Sequence, residues 1–123
     1  MENIELPLDL VDGIIVQLYI DGQPWLKVGK ARTDQGINRY HGELLEEILT
    51  QHGIPFDMVD TRNKMFPKLC GERYEAVGMG SCQKVGNNYS FGGWSLDYSG
   101  SIEINEKHLQ EMQSLNPELR FIW

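Results

Sequence analysis

The sequence predicts a single α/β domain spanning residues 1–123, a mixed β-sheet flanked by two α-helices. Three observations carry that expectation. They are a β-branched run at Ile14–Ile20, a helical apolar stripe over Leu44–Leu49, and strand-like alternation on both sides of Gly86-Asn87. A chain of 123 residues suits one domain, and 41% hydrophobic with 24% charged residues allows it to bury a core.

An acidic arm carrying Glu2, Glu5 and Asp9 leads to Asp12-Gly13, which punctuates the start of Ile14-Ile15-Val16-Gln17-Leu18-Tyr19-Ile20. Closed by Asp21-Gly22, that run reads as a buried strand. Trp25–Val28 is a weaker extended piece, and the polar Gly29–Gly36 stretch, with Lys30, Arg32, Thr33 and Asp34, reads as a loop. From Asn38 the pattern turns helical: Leu44, Leu45, Ile48 and Leu49 share a face, while Glu43, Glu46 and Glu47 take the solvent side. Asn38 is suited to cap the start and Gly53 the end.

Phe56–Asp60 alternates like a half-buried strand, followed by a loop at Thr61–Gly71. Tyr74–Val77 reads as a strand ending at Gly78-Met79-Gly80-Ser81, and Ser81–Val85 with Asn88–Tyr98 as a hairpin. On its second arm Tyr89, Phe91, Gly93, Ser95 and Asp97 point one way and Trp94, Leu96 and Tyr98 the other. A Ser99-Gly100-Ser101 turn leads to a strand at Ile102–Ile104 and a short helix from about Asn105, with Leu109, Met112 and Leu115 inward. Asn116-Pro117 stops it, and Leu119–Trp123 forms a terminal strand.

Charge narrows the function classes. With 11 Lys+Arg against 18 Asp+Glu, the net charge is -7 and the pI about 4.8, which argues against a nucleic-acid binder that tracks phosphates with a basic surface. No apolar run approaches the roughly 20 residues that cross a bilayer, and the acidic start is unlike a signal peptide. The expectation is a cytoplasmic monomer away from membranes. Cys70 and Cys82 make neither a disulfide framework nor a zinc spacing and read as free thiols.

Few residues invite chemistry. His41 falls near the third position of the first helix, where unpaired N–H groups and the positive helix end favour an anion and a neutral imidazole. Such a histidine suits a nucleophile or base beside a bound phosphate or carboxylate. Gly78-Met79-Gly80-Ser81 reads as a strand end or bulge, and secondarily as an anion-binding nest. Gly92-Gly93 inside an aromatic strand implies close approach to the backbone by a ligand or helix. Ser95 lies outside any G-x-S-x-G elbow, which leaves its hydroxyl as a donor to an anion. His52, at a helix end, and His108, on a helix flank, carry no assigned chemistry.

Together these pieces resemble the Janus/phosphohistidine phosphatase family, small proteins that remove phosphate from phosphohistidine. Tyr40-His41-Gly42-Glu43 is similar to that family's Tyr-His-Ala-Asp helix start, and Tyr74–Gly80 to its strand into a glycine-rich bend. Gly93-Trp94-Ser95-Leu96-Asp97-Tyr98 resembles its Gly-Tyr-Ser-Met-Ala-Tyr segment, and Asn116-Pro117 through Trp123 its Tyr-Pro ending in tryptophan. The likeness covers about Asn38 to Trp123, more loosely Leu6–Ile20.

The resemblance implies metal-independent dephosphorylation of a phosphohistidine protein or small phosphorylated substrate, with no cofactor. His41 would be catalytic. Tyr40, Ser95, the backbone N–H of Asp97, and Gly78 and Gly80 would line the phosphate site. The chain departs from the family pattern where a first-strand lysine is replaced by Val16 or Gln17, an arginine by Ser81, and an alanine by Asp97. Phosphoryl transfer leans on positive charge around the phosphate oxygens, so these changes weaken the enzyme reading. Lys30, Arg32, Arg39 and Lys84 are the available replacement cations. The alternative is a non-catalytic binding or regulatory protein whose acidic surface suits a basic protein partner.

Overall fold

The computed structural model describes residues 1–61, 64–98 and 100–123. Arg62 and Asn63, in the expected Thr61–Gly71 loop, and Ser99, in the expected Ser99–Ser101 turn, lie outside the described residues. In chain order the elements are β1 (Ile4–Glu5), β2 (Asp12–Ile20), β3 (Gln23–Lys30), α1 (His41–Gln51), β4 (Met58–Asp60) and β5 (Met65–Pro67). They continue with β6 (Tyr74–Val85), β7 (Asn88–Gly92), β8 (Trp94–Ser95), β9 (Ile102–Glu103), α2 (Glu106–Leu115) and β10 (Arg120–Ile122).

Among the described residues the main sheet has six strands in the order β1-β3-β2-β6-β7-β10. The middle pairings are antiparallel, while both outermost strands join in parallel, β1 on β3 and β10 on β7. The sheet is thus mixed, as the sequence predicts, and the two ends of the chain supply its two edges.

Each face carries one helix. Val16, Leu18, Ile20 and Met79 pack with Leu44, Leu45, Ile48 and Leu49 of α1 and with Phe66 of β5. On the opposite face Ile15, Leu26, Val28, Phe91 and Phe121 pack with Leu109 and Met112 of α2. A strand covered on both sides must be apolar at successive positions, which explains the unbroken run in β2.

α1 ends where expected: Gly53 takes φ 66°, its N–H donates to the Thr50 carbonyl, and Ile54 N–H donates to that of Leu49. This pair of hydrogen bonds closes the last turn and needs the left-handed conformation that glycine tolerates. The start differs from the expectation. Tyr40, not Asn38, is the N-cap, because Asn38 bridges back to Arg32 and closes the intervening loop.

Several other boundaries are corrected. β3 runs on through Gly29 and Lys30, pairing with Ile14 and Gly13, where a loop was expected. Met65–Pro67, also expected in a loop, forms β5 and pairs with β4. β6 does not stop at Gly78 but continues to Val85, with one irregularity opposite Gln17/Leu18. Its glycines answer crowding from neighbours: a Cβ on Gly80 would lie 2.4 Å from the Gly92 carbonyl oxygen, and one on Gly78 2.2 Å from Gln17 Oε1. The second hairpin arm breaks instead at Gly93, φ 75°, after which β8 leaves the main sheet to pair with β9.

Candidate functional site

α1 begins directly at His41, so the imidazole belongs to the first helical residue, not the third. Tyr40 holds the turn by its backbone: its N–H donates to Glu43 Oε1 at 2.9 Å, and its carbonyl accepts from Glu43 N–H at 3.1 Å. The Tyr40 ring packs on Phe66, 5.7 Å between centroids, and under Lys64 Nζ at 5.1 Å. Gly42 is buried against the same Phe66, where an added Cβ would meet the ring at 2.2 Å. Glycine therefore lets the helix start lie flat on that ring.

The amides at this helix end point at Asp97. His41 N–H donates to Asp97 Oδ2 at 2.5 Å, and Gly42 N–H reaches the same oxygen at 3.4 Å. Asp97 in turn donates its backbone N–H to Ser95 Oγ at 3.2 Å. Ser95 and Asp97 are both buried. The structure thus gathers His41, Ser95 and Asp97 from separate segments, but every backbone donor expected to face a ligand already has a protein acceptor.

The imidazole is engaged too. His41 Nε2 lies 2.8 Å from the Gly80 carbonyl oxygen and so donates to it, while Nδ1 lies 3.5 Å from Asp97 Oδ2. Burial raises the Asp97 pKa, yet the bonds and charge from His41, with the His41 and Gly42 amides, outweigh it and hold the carboxyl below its ordinary value. An ionised carboxylate therefore sits where the positive end of α1 attracts negative charge.

Gly80 joins this cluster through its carbonyl alone. Gly78 does not join it, since it approaches Gln17 and Asn105 on the α2 side. Of the suggested replacement cations, Arg39 and Lys84 are engaged elsewhere. Arg39 Nη2 lies 2.5 Å from both Glu47 carboxylate oxygens, and Lys84 lies over Tyr89 on the α2 face. Lys30 and Arg32 border a shallow hollow together with Asp9 and Asp12. Lys64, missed in the sequence, is a cation beside the helix start, and it faces Glu43 at 3.8 Å.

The α2 face holds a second polar cluster that sequence reasoning passed over. Gln17 and His108 are fully buried. Gln17 Oε1 accepts from Asn105 N–H at 2.7 Å, and its Nε2 donates to the Asn105 carbonyl at 2.9 Å and to His108 Nδ1 at 3.1 Å. His108 Nε2 donates to the Leu18 carbonyl at 3.0 Å. Burial lowers the His108 pKa, against smaller raising effects of the Leu18 carbonyl, Glu111 and Trp25. A glutamine inside an apolar strand was the available signal, because a buried amide requires partners.

Among the described residues no group of 3 or more His, Cys, Asp or Glu side chains is arranged to hold a metal ion, and no helix is long and apolar enough to cross a membrane. Cys70 is exposed and Cys82 buried, both as free thiols. Compared with known proteins, the chain matches no family model, and no curated protein matches its sequence.

Proposed function

We propose that this protein is a non-catalytic binding or regulatory protein on a scaffold like that of the Janus/phosphohistidine phosphatases, in which Asp97 takes the place of bound phosphate. The observation that carries this reading is the Asp97 carboxylate on the His41 and Gly42 amides. A phosphate arriving there would meet a fixed negative charge, an imidazole already bonded to Gly80, and basic side chains turned to Glu47 and Glu43. Its net charge of -7 suits a basic protein partner, met in the cytoplasm by a monomer.

Phosphate release from a phosphohistidine peptide, without added metal, tests the reading. Wild type is expected to release no more than the uncatalysed background. Turnover that disappears in folded His41→Ala would overturn it in favour of the second reading, a metal-independent phosphohistidine phosphatase with His41 catalytic. One observation favours that alternative: His41, Ser95 and Asp97, the residues that the resemblance groups around phosphate, meet within hydrogen-bonding distance.

A further inference from the structure

At the end of β2 where the chain turns into β3, Pro24, Tyr19 and Glu75 lie abreast on three adjacent strands and share the α2 side of the sheet. Tyr19 marks that side: its hydroxyl donates to Glu111 Oε2 of α2 at 2.6 Å, and its ring meets His108 edge-on, 5.3 Å between centroids. α2 leaves this row partly open, and two shallow hollows meet there, both bordered by Tyr19 and Gly22, to form one groove. Pro24, Leu115 and the Tyr19 ring make one end apolar. Asp21, Glu72, Arg73 and Glu75 border the other.

The charge of the groove is one-sided. Arg73 is held by Asp21, to whose two carboxylate oxygens it donates at 3.0 and 2.8 Å. Among the described residues Glu72, Glu75 and Glu111 pair with no cation. The Tyr19 phenol feels them: burial, the bond to Glu111 and the charges of Glu111 and Glu75 push its pKa up to about 12. Carboxylates from β6 and α2 thus converge beside an apolar surface, and a cation placed there relieves their repulsion. We propose that the basic protein partner docks in this groove, with a lysine or arginine among Glu72, Glu75 and Glu111 and an adjoining aliphatic side chain on Pro24 and Leu115. The existence of such a partner rests on the function proposed above, while the chemistry of its segment follows from the groove. Acidic and apolar ends side by side fit a segment that bears both a cation and an apolar residue, and not a polycation alone.

The probe is a fluorescein-labelled synthetic peptide with two lysines beside one leucine, titrated at low salt and read by anisotropy. Saturable binding to wild type is expected, weakened about fivefold by Glu75→Gln combined with Glu111→Gln. Asp12→Asn combined with Asp34→Asn removes the same charge at the start of β2 and beyond the end of β3, and is expected to change the affinity less than about twofold. All four positions are exposed or half-buried and keep side chains of the same size, so the variants are expected to fold. Serine in place of the peptide's leucine should cost about threefold in affinity. Equal weakening by both pairs of substitutions would reduce the binding to attraction by net charge and overturn the proposal. Indifference to the leucine, or no saturable binding by wild type, would overturn it too. Phosphate release tests the underlying function separately: turnover overturns that reading whether or not the peptide binds, and a peptide that ignores the groove overturns this proposal while that reading stands.

Discussion

The two helix starts of this molecule use the same parts to opposite ends. Each has a histidine, a side chain capping the first amides and a glycine of β6 at close range. At α2 the cap is local, Asn105 accepting from His108 N–H at 3.0 Å, and the histidine is sealed in a neutral network with Gln17. At α1 the acceptor comes from Asp97, 56 residues away in sequence, it is charged, and the histidine is part of a cluster that is not fully sealed. A neutral, local, fully buried cluster is an element of folding. On the function proposed above, a charged cluster assembled over long range at a helix end holds a place that an external anion would otherwise fill.

That contrast sets an order of effects. Gln17→Leu keeps the bulk but strips partners from Asn105 N–H and His108 Nδ1, and is expected to cost about 3 kcal/mol, read by urea denaturation. Asp97→Ala removes a cap from a less enclosed site and is expected to cost about 1 kcal/mol. If the costs came out reversed, the α1 cluster would be the structural one and the comparison would fail.

Acid should separate the two sites by a smaller effect. The folded-state pKa of His108 lies below its ordinary 6.5, so the unfolded chain binds the proton first. The stability tied to its neutral ring is complete above that value and declines as pH falls beneath it. The Asp97 contribution is present above its ordinary 3.8 and is lost at still lower pH, as the carboxylate protonates through its depressed folded value. Stability measured against pH should therefore fall in two stages, with the upper one removed by His108→Gln and the lower one by Asp97→Ala. Removal of the upper stage by Asp97→Ala instead would contradict the assignment.

Much of this was legible in the sequence because the signals were local. The α1 stripe of Leu44, Leu45, Ile48 and Leu49 and the Gly53 stop depend on near neighbours and stand as expected. The errors arose where distant segments decide. Gly78 and Gly80 read as the end of a strand, yet they mark crowding by Gln17, Asn105 and Gly92 in the middle of one. His108 looked like a helix-flank residue because nothing in its own segment announces Gln17 beneath it. At the site, His41, Ser95 and Asp97 could be named, and the repulsion of a ligand by an inward Asp97 could be foreseen. That its carboxylate caps α1 depends on the break at Gly93 that turns this segment off the sheet.

The most direct measurement is a titration with inorganic phosphate, following the backbone amide signals of His41 and Gly42 by NMR in wild type and Asp97→Ala. With Asp97 seated on those amides, the wild-type signals should stay fixed, while those of the variant should shift and saturate as phosphate takes the vacated position. Saturable shifts in wild type, or amides that stay silent after the carboxylate is removed, would contradict the claim that Asp97 occupies an anion site.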